Sequence, residues 1–128
     1  MTDKVTPQPA PGAESQRVLE DFSKISQGVA ACGATDACFM SAYAQADHEL
    51  TKEWRMLPKD VQAKELPGQL SWLATRNENW GDPDKALEPG AMPATGSKGA
   101  LASGDAISAV ATRTLEFANI YDKIQSGK

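Results

Sequence analysis

Apolar side chains that recur every three or four residues are the feature that most restricts the fold of this chain. Strand-type alternation of apolar and polar residues is almost absent, so the pattern predicts an all-α protein. The repeating positions are Val18, Leu19, Phe22, Ile25 and Val29, then Phe39, Tyr43, Ala46, Leu50, Trp54 and Leu57, and finally Ile107, Val110, Ala111, Thr114, Phe117, Ala118, Tyr121 and Ile124.

These segments are expected to form a compact bundle of four or five helices. The first helix would run from about residue 13 to residue 31. Pro58 would end the second, because proline lacks the backbone N–H that a helix interior needs. A short helical piece at 60–66 would precede the proline-glycine pair at 67–68. A further helix would then run to about Trp80, with the proline in its first turn.

Residues 81–104 are rich in glycine and proline and poor in apolar residues, which predicts a long loop before the last helix. Ser103 or Asp105 would cap that helix. At the amino terminus, three prolines in residues 1–12 predict a flexible lead-in. The folded part would therefore be a single domain at 13–126.

Charge and length limit the classes of function. A chain of 128 residues suits one compact domain. Its 17 acidic and 13 basic residues give a net charge of -4, which argues against a nucleic-acid binder and favours a basic partner, although such an excess also suits solubility alone. No run of 18 apolar residues occurs, so no membrane span is predicted.

The two cysteines, Cys32 and Cys38, flank a predicted turn between two helices. Gly33 would break the first helix, and Thr35 or Asp36 would cap the second. Such a turn can bring the sulfur atoms together, which predicts a disulfide and an oxidising compartment such as the periplasm. The alternative is a pair of reduced thiols at helix ends. The amino terminus carries no secretory signal, which by itself does not decide the compartment.

The stretch QLSWLATRNENW at 69–80 places Gln69, Trp72 and Arg76 on one helix face. Arg76 is expected to lay its guanidinium over the Trp72 ring and to pair with a carboxylate from another helix. Asp47 is the best candidate for that carboxylate. We interpret these residues, together with Arg113 of the last predicted helix, as an interhelical polar clamp, with a direct role in binding as the alternative. A neighbouring apolar face carries Leu66, Leu70, Leu73 and Trp80.

The order of these residues resembles that of the LprI-type lysozyme-inhibitor domain. The resemblance runs from about Cys32 to Ile124, and its most specific part is the spacing from Gln69 through Trp72 and Arg76 to position 80. The remaining matches are Cys38, Ala46, Asp47, Leu50 and Trp54, and the ATRTLEF stretch around Arg113.

The chain also departs from the family pattern. Trp80 stands where the family has a cysteine, and no cysteine lies near Asp105, so both halves of a second disulfide are absent. This joint loss suggests that packing replaces a crosslink. Thr51 replaces an asparagine and Trp54 a tyrosine of the family pattern.

The resemblance implies a periplasmic or envelope protein that blocks a peptidoglycan-degrading enzyme, either as a lysozyme inhibitor or as an immunity protein against a cell-wall-targeting effector of a rival bacterium. An acidic surface would attract a basic hydrolase. The loop residues Asp82, Asp84, Glu88 and Met92 would occupy its cleft, unless the loop is only a disordered connector.

Other functions fit the sequence less well. His48 is the only histidine, and the GDPDKALE run lacks the spacing of a calcium loop, so neither an enzyme nor a metal or cofactor site is expected. Zinc is disfavoured because the two cysteines and His48 would not supply four ligands. The alternative function is a helical envelope chaperone or adaptor without an enzyme target.

Overall fold

The computed structural model describes residues 12–83 and 104–127. These residues form four α-helices and no strand, so the chain is all-α as predicted. Most of the predicted loop at 81–104 and of the predicted lead-in at 1–12 lies outside the described residues, as does Ser103. The helices are α1 at Ala13–Ala31, α2 at Asp36–Met56, α3 at Lys59–Trp80 and α4 at Gly104–Ser126.

The hydrophobic core lies between α1, α2 and α4, which pack closely against one another. Its largest apolar side chains are Tyr43 and Phe117, both fully buried, and the Phe117 ring lies 5.3 Å from that of Trp54. Burying one such side chain contributes about 1.5–3 kcal/mol. The core residues are Val18, Phe22, Ile25, Val29, Cys38, Ala42, Tyr43, Ala46, Leu50, Leu57, Ala106, Ile107, Val110, Phe117 and Ala118.

The amino terminus of α1 is capped by a side chain from α4. Gly12 precedes the helix and offers no side chain, which leaves the first backbone N–H groups without a local acceptor. The Asp122 carboxylate accepts from the backbone N–H groups of Glu14 and Ser15, each at 3.0 Å. A negative charge at a helix amino terminus is also favourable to the helix dipole. Asp122 therefore fixes α1 against α4.

The turn between α1 and α2 carries the predicted disulfide. The Cys32 and Cys38 sulfur atoms are bonded, and their Cα atoms lie 6.0 Å apart. Gly33 adopts a positive φ of 96°, a conformation that glycine adopts without strain. The following residue, Ala34, also has a positive φ, of 54°. The Thr35 hydroxyl accepts from the backbone N–H of Cys38 at 3.2 Å and caps α2. The prediction of a disulfide at a capped turn is confirmed.

The predicted division at Pro67 was wrong, because α3 continues through this proline. Leu66, Pro67 and Gly68 are all exposed, so the ring projects on the solvent side of the helix. The carbonyl of Ala63, which would have accepted from the missing N–H, lies on an exposed stretch where water can replace that bond. Residues 59–80 therefore form one helix instead of two.

α3 is the outer helix of the bundle. Its only buried residues are polar, Gln69 and Arg76, while Trp72, Leu73 and Trp80 are half-buried against the core. Trp80, which stands where the family pattern has a cysteine, thus packs against the core. Within the described part of the chain, no helix is both long and apolar enough to cross a membrane.

Candidate functional site

Arg76 of α3 is the centre of a buried polar arrangement. Its side chain is 5% exposed, and its Nη1 donates to Asp47 Oδ1 of α2 at 2.6 Å. Its guanidinium carbon lies 5.5 Å from the centre of the Trp72 ring and 5.9 Å from that of Tyr43. The ion pair and the Trp72 contact are those predicted from the sequence, whereas the Tyr43 contact was not predicted. Two aromatic faces and a carboxylate together compensate the burial of this cation.

A second polar contact joins α3 to α4. Arg113 Nε donates to Gln69 Oε1 at 2.8 Å, and the Arg113 guanidinium lies 4.7 Å from the centre of the Phe117 ring. Its Nη1 also pairs with Glu116 at 2.8 Å. Since Gln69 is 6% exposed, this hydrogen bond satisfies a side chain that would be costly to leave unpaired.

We call Asp47, Gln69, Trp72, Arg76 and Arg113 the polar clamp. Its members lie on three helices, α2, α3 and α4, and the two arginines carry the bonds between them. The clamp fixes the position of α3 together with the packing of Trp72, Leu73 and Trp80 against the core. The bonds of the clamp orient α3 against α2 and α4.

Tyr43 holds the carboxyl end of α3. Its hydroxyl donates to the carbonyl oxygen of Gly81 at 2.8 Å, inside the protein. Burial, offset in part by the charge of Arg76, raises the pKa of Tyr43 to about 12, so the hydroxyl remains a donor at physiological pH. The sequence signal for this bond is weak, since Tyr43 reads only as an apolar position of α2, although a buried tyrosine hydroxyl needs a partner.

Of the predicted target-binding residues, only Asp82 is described. It is half-buried and follows Gly81 directly, so the bond from Tyr43 fixes the backbone next to it. Asp84, Glu88 and Met92 lie outside the described residues. The clamp and Tyr43 therefore fix the position of Gly81, where the predicted target-binding segment begins.

A second charged cluster, between α1 and α2, was missed by the sequence reasoning. Arg17 of α1 pairs with Glu14, with Asp21 at 2.5 Å, with Glu49 at 3.7 Å and with Glu53 at 2.6 Å. We call these five residues the Arg17 cluster. The sequence signals are the spacings of Arg17 from Glu14 and Asp21 on α1 and of Glu49 from Glu53 on α2. These spacings do not indicate that the residues of the two helices meet.

Glu53 is the buried member of the Arg17 cluster. Its side chain is fully buried, Oε2 accepts from Arg17, and Oε1 has no hydrogen-bond partner within the described residues. Burial, together with the adjacent Glu14 carboxylate, raises the pKa of Glu53 to about 8. Burial and contact with Asp21 also raise the pKa of Glu49. One arginine thus faces four carboxyl groups, which together with burial favours the protonated form of Glu53.

An apolar groove runs between α2 and α3. Its volume is about 150 Å³, and it is lined by Asp47, Leu50, Thr51, Trp54, Leu66, Gln69, Leu70 and Leu73. Leu66 and Leu70 remain 43% and 57% exposed. The apolar face of α3 that the sequence indicates is therefore only partly covered, because Leu66 and Leu70 lie on the flank of the helix that α2 leaves open.

The remaining ionisable groups show no arrangement for metal binding in residues 12–83 and 104–127. No set of three or more histidine, cysteine, aspartate or glutamate side chains in these ranges could hold a metal ion. His48 is exposed on α2.

Comparisons of the chain with protein-family models, with curated proteins and with solved structures found no match.

Proposed function

We propose that this protein binds and blocks a peptidoglycan-degrading enzyme. The target would be a lysozyme-type hydrolase or a cell-wall-targeting effector of a rival bacterium, so that the protein acts as an inhibitor or an immunity protein. The supporting observation is that the residues of the polar clamp also carry the resemblance to the LprI-type lysozyme-inhibitor domain, and that they bond to one another across three helices.

The proposed binding segment is the acidic stretch after α3. Asp82, Asp84 and Glu88 would attract a basic enzyme, and Met92 would fill an apolar part of its cleft. The bond from Tyr43 to Gly81 supports this assignment because it anchors the start of the segment on a rigid scaffold. The net charge of -4 would favour the approach of a basic target.

The proposed compartment is the periplasm. The disulfide between Cys32 and Cys38 supports it, because such bonds persist in oxidising compartments and are rare where thiols are kept reduced.

A pull-down with the tagged, disulfide-bonded protein tests the proposal. Envelope extracts and purified lysozymes are the prey, and we expect a single peptidoglycan-cleaving enzyme in a one-to-one complex that persists at moderate salt. The triple variant Asp82→Asn, Asp84→Asn, Glu88→Gln should lose most of the binding. The matched control replaces three exposed acids elsewhere, Glu20→Gln, Asp36→Asn and Asp60→Asn.

The alternative function, an envelope chaperone or adaptor, is favoured by one observation, the exposure of Leu66 and Leu70 beside the apolar groove. A chaperone would retain many unrelated unfolded proteins through apolar contact. Recovery of such a mixture, unchanged by the triple variant, would contradict the inhibitor proposal and support this alternative.

A further inference from the structure

The apolar groove between α2 and α3 has the form of a docking surface for a helix or an extended segment. Leu66 and Leu70 form its outer edge, while Leu50 and Trp54 of α2 line the opposite side. The ion pair between Asp47 and Arg76 lies at one end, so the carboxylate there is already neutralised. The interior of the groove therefore offers apolar contact without a free buried charge.

The other end of the groove is basic. The turn at Leu57 and Pro58 joins α2 to α3 next to Trp54, which lines this end of the groove. Arg55, in the last turn of α2, and Lys59, the first residue of α3, are exposed beside this turn. Neither forms an ion pair with another described residue. Arg55 also lines a shallow depression next to the groove, which shares Asp47 and Thr51 with it.

This local charge is opposite to that of the whole protein. The chain carries a net charge of -4, and four of its carboxyl groups gather around Arg17 on the far side of α2. An acidic partner would be repelled by the overall charge and attracted at the groove by Arg55 and Lys59. A partner that combines carboxylates with apolar side chains would match both features of the groove.

We propose that the groove binds an acidic amphipathic segment of a partner protein. Its apolar side chains would contact Leu66 and Leu70, and its carboxylates would pair with Arg55 and Lys59. The groove is lined by residues of α2 and α3 and would take an acidic partner, whereas the segment that begins at Asp82 is proposed to take a basic one. Either inference can therefore fail without the other.

The binding test uses two short fluorescein-labelled helical peptides and fluorescence anisotropy. Both peptides carry leucines at every third or fourth position, and they differ only in having glutamate or lysine at the remaining charged positions. The full-length, disulfide-bonded protein should bind the acidic peptide about tenfold or more tightly than the basic one. Equal affinity for both peptides, or a preference for the basic one, would overturn the proposed charge complementarity.

Matched substitutions test whether binding occurs in the groove. Leu70→Ser should weaken binding of the acidic peptide about tenfold, whereas Leu19→Ser on α1, which is 51% exposed, should leave it unchanged. Lys59→Glu should remove most of the preference for the acidic peptide, whereas Lys64→Glu, on the opposite flank of α3, should leave the preference unchanged. Equal losses for target and control variants would refute the assignment.

Sedimentation velocity of the free protein tests whether a second copy of the chain occupies the groove instead. We expect a monomer that Leu70→Ser does not alter. A dimer that dissociates in the Leu70→Ser variant would show that the groove is a self-association surface and would overturn the proposal.

Discussion

Replacing Glu53 by glutamine should stabilise the protein, and more strongly at neutral than at acidic pH. Glu53 is fully buried in the Arg17 cluster, with a pKa raised to about 8 from its ordinary value near 4.5. At neutral pH the side chain is ionised in the unfolded chain and protonated in the folded one. Folding must therefore be accompanied by uptake of a proton, which becomes more costly as the pH rises.

The magnitude follows from the difference between the pH and the pKa of the unfolded chain. Each pH unit above about 4.5 lowers the free energy of unfolding by about 1.4 kcal/mol, until the pH reaches the pKa of Glu53 in the folded protein. The cost is therefore roughly 3 kcal/mol at pH 7 and less than about 1 kcal/mol at pH 5. A glutamine needs no proton, and its amide oxygen can accept from Arg17 as Oε2 does now. The Glu53→Gln variant should gain about these amounts.

The sign of this pH dependence is distinctive. The raised pKa means that the contribution of Glu53 is fully present below pH 4.5 and is lost as the pH rises through about 8. Glu14 has the opposite effect on the pH dependence of stability. Burial raises its pKa, but the hydrogen bond with Arg17 and the charge of that arginine lower it below its ordinary value. The contribution of Glu14 is lost only as the pH falls below about 4.5, so the two effects occupy different pH ranges.

Urea denaturation at several pH values between about 5 and 8 measures this effect. Wild-type stability should fall as the pH rises through this range, and the Glu53→Gln variant should show a much flatter profile. Glu20→Gln, an exposed glutamate of α1 outside the Arg17 cluster, is the matched control and should follow the wild type. A flat wild-type profile, or a loss of stability in Glu53→Gln that is equal at every pH, would refute the reasoning.

Substitutions at three features of the fold, each followed by urea denaturation, test the architecture. Arg76→Met should lower the free energy of unfolding by about 3 kcal/mol, because it leaves the half-buried Asp47 carboxylate without its partner. The double variant that also carries Asp47→Leu should lose less stability than Arg76→Met alone. Additive losses from the two single substitutions would contradict an ion-pair role. Replacing Cys32 and Cys38 by serine should lower the free energy of unfolding by about 2 kcal/mol, because the unfolded chain gains conformational entropy without the crosslink. An unchanged urea midpoint would argue against the disulfide. Pro67→Ala should stabilise α3 by about 1–3 kcal/mol, whereas no gain would indicate a helix break at this position.

Much of the fold could be predicted from the sequence because α1, α2 and α4 each carry a strong apolar repeat. Their buried positions, such as Val18, Tyr43 and Phe117, are those that recur every three or four residues. In α3, helix was predicted on both sides of Pro67, and only the division at this proline was wrong. Sequence rules place a helix boundary there, but an exposed helix flank tolerates the missing hydrogen bond.

The polar clamp was partly predictable for a different reason. Arg76 lies on the same face as Trp72, and Asp47 lies among apolar positions of α2, so each needed a partner on another helix. The partner of Gln69 and the ring of Tyr43 beside Arg76 were not predicted. The Arg17 cluster could not be foreseen, because it depends on the relative rotation of α1 and α2, which single-helix patterns do not contain.

The most direct test of the proposed function is a titration of enzyme activity. Each of a set of peptidoglycan hydrolases, including any toxin encoded beside this gene, is mixed with increasing amounts of the disulfide-bonded protein, and the clearing of a peptidoglycan suspension is followed. The proposal predicts that the activity of one enzyme falls linearly and vanishes at a one-to-one ratio. Full activity of every hydrolase in the presence of excess protein would contradict it.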